Sequence, residues 1–376
     1  MNIKNLFLGL SASALLLTAC SDDSVSIGAN EESSAAFEEC TAPAFLKKGD
    51  KVALLSPSYS TPDSNIEKTA DAIKDWGFEP VIGKNVGMLD AGKYAGTAEE
   101  RADDFIAALK DTSVKAILCN RGGYGTIQLV DLIDQQLIKD NPKWLIGFSD
   151  ITTLHAMQTK AGVMSIHGTM SSFIAKTAGK DDNSTLLRDL LKGTVPTYKV
   201  PSHKFNQKGH GEGVLVGGNM ATFVPLVGAS DIDVFTSDND IILFMEEVGE
   251  SLHNIDRMFN TLEIHGVMEN VKGVILGDFV DSGMDQEFGS TEEMLSKYLK
   301  KYDIPVLCGF PAGHDDLNVP LVMGAKVTLD VDKNGGTLAF DIEGDKKDVN
   351  TNKLTVKTML SIPLRKVLSG KTFSIE

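Results

Sequence analysis

Between Lys48 and Gly162, short apolar runs alternate regularly with amphipathic helical patterns. Runs such as Val52–Leu55 and Val114–Cys119 fit buried strands, and each is followed by apolar residues at helical spacing. Strands and helices that alternate in this way form a parallel sheet covered on both faces, whose ligand crevice lies beyond the carboxyl ends of the strands. The pattern therefore predicts an α/β fold with a functional site at that edge.

Ser149 lies where one of these apolar runs, Trp144–Phe148, becomes a helix. The helical pattern after it is formed by Ile151, Leu154, Met157 and Ala161. A side chain at such a turn points out of the sheet edge, beside the free N–H groups of the first helical turn, which can stabilise a developing negative charge. This is the geometry of a nucleophile elbow, but the second glycine of G-x-S-x-G is absent and serine is also a common helix N-cap. Both interpretations stay open on the local pattern.

A glycine-rich turn, Arg121–Gly125, follows the strand predicted at Val114–Cys119. The turn lacks the spacing of dinucleotide-binding and P-loop motifs, which argues against a nucleotide site. Glycine allows a backbone N–H to approach a reacting carbonyl closely, as an oxyanion hole requires. A simple tight turn explains the glycines equally well.

Two further candidates follow strand-like runs in the second half of the chain. Ile241–Met245 ends in Glu246 and Glu247, and paired carboxylates at a strand end usually form a solvated edge. His314 follows Gly-Phe-Pro-Ala-Gly on a rigid loop, a common setting for a general base. Two further histidines lie near predicted strand ends or helix starts, and we interpret both as structural: His155 and His167.

Composition excludes several classes of protein. The chain of 376 residues has 52 acidic and 36 basic side chains and a formal charge of −16, which repels nucleic acid, so no nucleic-acid partner is expected. Cys40, Cys119 and Cys308 have no metal-ligand spacing and predict neither a disulfide framework nor a metal site.

The N-terminus has the pattern of an export signal. Lys4 precedes an apolar core, and Leu17-Thr18-Ala19-Cys20 resembles a bacterial lipobox, in which Cys20 would be lipidated. A plain secretory signal is the alternative. We expect residues 1–20 to be a lipoprotein signal peptide and residues 21–43 a flexible tether. The expected location is the cell envelope, with a lipid anchor in a bacterial membrane whose identity and leaflet stay open.

Three further segments complete the predicted domain organisation. Residues 44–170 are predicted to form an N-terminal domain that contains Ser149, residues 171–210 a linker, and residues 211–376 a C-terminal domain. The linker is placed where the chain turns polar and contains Pro196 and Pro201. No role is assigned to residues 344–376.

Six motifs, in one order, resemble the LD-carboxypeptidase family of serine peptidases, which also contains the microcin C self-immunity peptidases. The resemblance spans roughly Phe45 to Ile342. The motifs are Arg121–Gly125, Gly147–Asp150, Val216–Asn219, Phe244–Glu247, Ile255–Arg257 and Pro311–His314. Together they are far more specific than any one of them.

This resemblance implies a flavodoxin-like parallel-sheet N-terminal domain, a mixed α/β C-terminal domain and an active site between them. It also implies a Ser-Glu-His triad without metal or cofactor, in which Ser149 is the nucleophile, His314 the general base and Glu246 the carboxylate that orients the imidazole. The backbone N–H groups of Gly123 and Asp150 would form the oxyanion hole.

The function implied is a serine LD-carboxypeptidase that releases the terminal D-alanine of a murein tetrapeptide through an acyl-enzyme. Two alternatives are kept: a microcin C-type peptidase that cleaves an acyl amide of a peptidyl or aminoacyl nucleotide, and a non-catalytic murein-binding lipoprotein. The expected partners are the tetrapeptide and, through Cys20, a membrane. The oligomeric state, including a homodimer, stays open.

Overall fold

Two β-sheets organise the part of the chain that the computed structural model describes, residues 36–229 and 231–354. Their strands are β1 (Lys51–Leu55), β2 (Glu79–Ile82), β3 (Val114–Cys119), β4 (Trp144–Gly147), β5 (Ser165–His167), β6 (Thr194–Pro201), β7 (Gly209–Asn219), β8 (Ile241–Val248), β9 (Val271–Val280), β10 (Val306–Cys308), β11 (Leu321–Met323), β12 (Lys326–Asp332), β13 (Gly335–Phe340) and β14 (Asp345–Asn350). Cys20 and the rest of residues 1–35 lie outside the described residues, as does the chain beyond residue 354.

Nine α-helices accompany the strands in the described ranges. They are α1 (Asp63–Asp75), α2 (Ala98–Lys110), α3 (Gln135–Asp140), α4 (Thr152–Lys160), α5 (Ser171–Thr177), α6 (Asp182–Leu191), α7 (Met220–Phe223), α8 (Leu252–Ile264) and α9 (Thr291–Leu299). None of the described helices is long and apolar enough to cross a bilayer.

The first sheet has the order β11-β5-β4-β3-β1-β2, in which β1 to β5 are parallel. The order 2-1-3-4-5 is that of flavodoxin-like sheets, so the predicted fold class is confirmed. Strand β4 is buried at every position because it lies inside the sheet with both faces covered. The sixth strand, β11, joins β5 antiparallel from a distant part of the chain, which the sequence pattern did not predict.

Local signals explain most of the elements around this sheet. Helix α2 begins with a capping box, in which the Thr97 side chain accepts from the Glu100 N–H and the Glu100 side chain accepts from the Thr97 N–H. After the glycine turn, Thr126–Leu132 forms a 3-10 helix where an α-helix was expected. Asp134 already caps α3, which leaves the segment little room for an α-helix.

The second sheet contains both parallel and antiparallel strands, in the order β10-β9-β8-β7-β12-β13-β6-β14. Strands β7 to β10 are parallel, whereas β12 is antiparallel to both β7 and β13. Strand β8 lies in the middle of the parallel part and is buried from Ile241 to Glu247. A glutamate at its carboxyl end is therefore held inside the protein.

Two segments expected to lack regular structure are more ordered than the sequence suggested. The range 171–210, predicted as a linker, contains α5, α6, β6 and the start of β7, and β6 pairs with both β13 and β14. Its polar residues and two prolines obscured the strand pattern. At the end of the predicted tether, Phe37 and Cys40 are buried, and the Thr41 N–H donates to the Gly162 carbonyl.

One buried hydrogen bond links the second sheet to the last strand of the first. The hydroxyl of Tyr198 in β6 donates to the carbonyl of Pro320, immediately before β11, at 2.7 Å. Tyr198→Phe removes this donor and leaves a buried carbonyl unpaired, so we expect the free energy of unfolding to fall by about 1–3 kcal/mol in urea titrations. Tyr302→Phe is the control, because the Tyr302 hydroxyl bonds Glu263 at a partly exposed site. An equal loss in both variants would contradict the prediction.

Candidate active site

Ser149 occupies the sharp turn that the sequence predicted between β4 and the following helix. Its φ is +64°, a left-handed conformation that costs a non-glycine residue about 1–2 kcal/mol. A 3-10 turn, Ser149–Ile151, then leads directly into α4. Close approach at Ser149 is allowed by Gly122 of the neighbouring turn, where a Cβ would lie 2.9 Å from Ser149 Cβ. The absence of a side chain at Gly122 thus leaves the space that Ser149 occupies.

The glycine turn is held in place by Arg101, a residue that the sequence analysis missed. Arg101 is buried on α2 and donates to the carbonyls of Pro57 at 2.7 Å and Gly125 at 3.0 Å. The available signal was an arginine on the apolar face of an amphipathic helix, next to Ala102 and Phe105. A cation in that position indicates that backbone carbonyls need a donor.

The side chain of Asp150 connects the turn at Ser149 to the glycine turn. Its carboxylate is buried and accepts from the Thr126 N–H at 3.0 Å, while the Thr126 hydroxyl donates to the Asp150 carbonyl. Burial raises the pKa of this carboxyl. The two turns are therefore fixed relative to one another, with Gly123 and Asp150 beside Ser149 in the lining of one cavity.

Glu246 and His314 form a buried pair. The Nδ1 of His314 lies 2.7 Å from Glu246 Oε2, and the two side chains are 16% and 0% exposed. A carboxylate can only accept, so Nδ1–H donates and Nε2 keeps its lone pair. Gly313 permits this approach, since a Cβ there would lie 3.1 Å from Glu246 Oε2.

His314 contacts the turn at Ser149 through Phe148, whose ring centroid is 4.9 Å from that of the imidazole. The described residues contain no hydrogen bond between the Ser149 hydroxyl and the His314 ring. Hydrogen bonds of this kind are often long until a substrate is bound. The chain thus brings Ser149, Glu246 and His314 into one region, with the Glu246–His314 contact already formed.

Glu247 does not belong to a solvated edge, because it is only 2% exposed. Its carboxylate accepts from Asn219 Nδ2 at 2.9 Å and from the Ala221 N–H at 2.6 Å, and burial raises its pKa. Successive side chains of a strand face opposite sides, so Glu246 meets His314 while Glu247 faces the cavity. Asn219 was not identified from sequence as a site residue, although it follows two glycines at the end of a strand.

The cavity beside Ser149 has a volume of about 430 Å³. Its walls come from the glycine turn, the turn at Ser149, the end of β7 and the end of β8. The lining residues are Gly123, Tyr124, Ile127, Ser149, Asp150, Thr153, Asn219, Ala221, Thr222, Pro225, Glu247, Val248 and Glu250. This space is large enough for a peptide side chain and the scissile amide.

The remaining candidates have structural partners. The His155 ring contacts Ser165 Oγ at 2.8 Å and the Gly147 carbonyl at 2.9 Å, and burial lowers its pKa to about 4. His167 is also buried, and its Nε2 contacts Asn318 Oδ1. In the described ranges, no group of three or more His, Cys, Asp or Glu side chains is arranged to hold a metal ion.

Asp278 is a carboxyl group beside the Glu246–His314 pair that the sequence analysis did not single out. A Cβ on Gly313 would lie within 3.1 Å of both Asp278 Cβ and Glu246 Oε2. Burial raises the pKa of Asp278 to about 8, and the negative charges of Asp315 and Glu246 act in the same direction. A pKa of about 8 favours the protonated form of Asp278 at neutral pH.

Asp278→Asn should change how stability depends on pH. Below pH of about 4 the carboxyl is protonated in both states, but at higher pH the unfolded chain ionises at its ordinary value of 3.8 while the folded protein holds the proton to about 8. The wild type therefore loses stability as pH rises through this window, by up to about 1.4 kcal/mol per pH unit from this group. In urea titrations, the free energy of unfolding of the variant should rise relative to that of the wild type between pH 5 and 8. Asp303→Asn, at an exposed position, controls for the chemical change, and a pH-independent difference would contradict the assignment.

Comparison with known proteins identifies the family. A model described as the LD-carboxypeptidase N-terminal domain matches residues 52–168, and one described as the C-terminal domain matches residues 212–329. A Synechocystis protein named as a carboxypeptidase is 33% identical over 79% of this chain and 96% of its own length. The "Probable murein peptide carboxypeptidase" of Bacillus subtilis is 30% identical over 76% of this chain and 91% of its own length.

The microcin branch of the family is similar as well. The microcin C7 self-immunity protein of Escherichia coli is 27% identical over 76% of this chain and 92% of its own length. The crystal structure of an MccF-like protein from Bacillus anthracis has a TM-score of 0.71 at 25% identity and covers 81% of this chain and all of its own. With both domain models matched in order over most of the folded region, this chain belongs to the LD-carboxypeptidase family and is a serine carboxypeptidase, a hydrolase.

Proposed function

We propose that this protein releases the terminal D-alanine of murein tetrapeptides with Ser149, Glu246 and His314 as its catalytic residues. The observation that supports this most strongly is the buried Glu246–His314 pair near a serine at φ +64°. The name of the Bacillus subtilis relative, which refers to a murein peptide, agrees with this proposal. Strained backbone of this kind is concentrated at active sites, which favours a catalytic protein over a binding-only one.

The proposed reaction begins at the imidazole. Because Nδ1–H is bound to Glu246, the free Nε2 can accept the Ser149 proton as the hydroxyl attacks the carbonyl of the scissile amide. The same nitrogen then gives the proton to the leaving D-alanine, and the acyl group remains on Ser149 Oγ. A water molecule, activated by His314 in the same way, releases the acyl group.

The oxyanion of the tetrahedral intermediate would be held by backbone N–H groups of Gly123 and Asp150. Both residues line the cavity with Ser149, and the Asp150–Thr126 hydrogen bonds keep the two turns in fixed positions. Donors fixed before the reaction need no reorganisation when charge develops, which is the main source of their catalytic effect.

The electrostatics of the cavity favour a murein tetrapeptide over a microcin-type substrate with an aspartyl or glutamyl acyl group. The charged side chains that line it in the described part of the chain are Asp150, Glu247 and Glu250, all carboxylates. An acidic acyl side chain would meet like charge there, whereas the amine of a diaminopimelate or lysine residue would meet opposite charge.

Ser149→Ala should lower the rate of D-alanine release from a disaccharide-free tetrapeptide by several orders of magnitude, because the acyl-enzyme cannot form. Tetrapeptide binding, measured by calorimetry, should persist. Ser172→Ala, a partly exposed serine on α5, is the matched control and should retain wild-type turnover. Undiminished cleavage by the Ser149 variant would refute the mechanism, and wild-type cleavage of aspartyl sulfamoyl adenosine instead of tetrapeptide would favour the microcin alternative.

We also propose that Cys20 carries a lipid anchor, on the basis of the Leu17–Cys20 motif. A single acyl chain holds a protein only marginally, so stable attachment requires more than one chain on Cys20. Cys20→Ser should move the protein from the membrane fraction to the soluble fraction when cells expressing the full chain are fractionated. Ser24→Ala in the same segment is the control, and an unchanged distribution of the Cys20 variant would exclude the anchor.

A further inference from the structure

A shallow groove continues from the cavity beside Ser149 toward helix α8. It has a volume of about 260 Å³ and shares Ala221, Pro225 and Glu250 with the cavity. Its other lining residues are Val224, Asn254, Arg257, Met258 and Thr261. A ligand side chain that leaves the cavity past Glu250 therefore enters the groove that Arg257 lines.

Of the three carboxylates along the cavity, Glu250 is the one least engaged by the protein itself. Asp150 and Glu247 each accept from backbone N–H groups, and both are buried. Glu250 is partly exposed, and its one hydrogen bond in the described residues comes from Asn254 Nδ2. A partly exposed carboxylate with one neutral donor keeps its charge available to a ligand cation.

Arg257 presents the opposite charge one step further along the groove. It is exposed, and its guanidinium donates to Asn254 Oδ1. Among the described residues, neither Arg257 nor Glu250 forms an ion pair. The Asn254 amide therefore donates to Glu250 and accepts from Arg257. It holds the carboxylate and the guanidinium next to each other along the groove without a direct ion pair between them.

We propose that Glu250 and Arg257 form a subsite for the zwitterionic end of a diaminopimelate residue, and so make this protein selective for diaminopimelate over lysine at the third position of the tetrapeptide. The far carbon of diaminopimelate bears an ammonium group and a carboxylate, which match Glu250 and Arg257 respectively. A lysine side chain offers only the ammonium group. This inference rests on the proposed carboxypeptidase function and specifies its substrate.

The terminal carboxylate of D-alanine is the competing ligand for Arg257. D-alanine is short, so its carboxylate lies next to the scissile carbonyl, inside the cavity that Ser149 lines. Arg257 lines the groove beyond Glu250 and is absent from the cavity wall. A long acyl side chain therefore fits the position of Arg257 better than the leaving group does.

Three tetrapeptides test this selectivity: with diaminopimelate, with lysine, and with diaminopimelate whose far carboxylate is amidated. The wild type should have the lowest KM for the first. Arg257→Gln should raise that KM by about five- to tenfold with little change in kcat, and should leave the KM for the other two peptides unchanged. Arg257→Lys should restore part of the loss. Glu250→Gln should raise KM for all three peptides, because each carries the ammonium group.

Lys297→Gln and Glu293→Gln are the matched controls, since they remove one charge of each sign from an exposed pair on α9. Both variants should have the KM and kcat values of the wild type for all three peptides. If Arg257→Gln raises KM equally for the lysine and diaminopimelate peptides, the inference is overturned and Arg257 binds the terminal carboxylate instead. Equal KM values of the wild type for these two peptides would also overturn it. In both cases the carboxypeptidase function stands. If the wild type cleaves none of the tetrapeptides, the proposed function fails and the subsite with it.

Discussion

The buried contact between the Glu246 carboxylate and the His314 imidazole is the interaction on which the rest of this structure depends. Glu246 is fully enclosed, and an isolated charge in such a place is strongly unfavourable unless a partner compensates for it. His314 is that partner, and it comes from a loop between β10 and β11 rather than from a neighbouring strand. Placing Glu246 at the carboxyl end of a central strand gives it a rigid support, and Gly313 leaves the space that the imidazole needs.

The two sheets meet where the chemistry is proposed. The N–H of Asn219, at the end of β7, donates to the Thr152 hydroxyl at the start of α4, and Phe148 packs against His314. Each contact joins a residue within a few positions of Ser149 to the second sheet. The position of Ser149 relative to the His314 imidazole therefore depends on packing between the sheets as much as on the turn that presents Ser149.

The sequence allowed the first sheet and the turn at Ser149 to be predicted, because local periodicity encodes them. Glu246 and His314 were singled out by the family resemblance, and the structure brings the two side chains into contact. The pairing of strands that lie far apart in the chain could not be predicted from the sequence. Strand β11 has only three residues, and β6 contains two prolines, so neither has a strand pattern of its own and both exist because of their neighbours. Arg101 and Asn219 were missed for a related reason, since their roles depend on backbone groups and carboxylates that only the folded chain brings near them.

Strand β11 has a consequence for how the protein is made. It completes the first sheet by pairing with β5, yet it lies more than 150 residues later in the chain and follows the whole of β6 to β10. While the chain is still emerging from the ribosome, β5 must remain an open edge, with unpaired N–H and C=O groups that can recruit another strand. The loop that carries His314 is anchored only when β10 and β11 have each joined their own sheet, so the imidazole is among the last groups to reach its final position during biosynthesis.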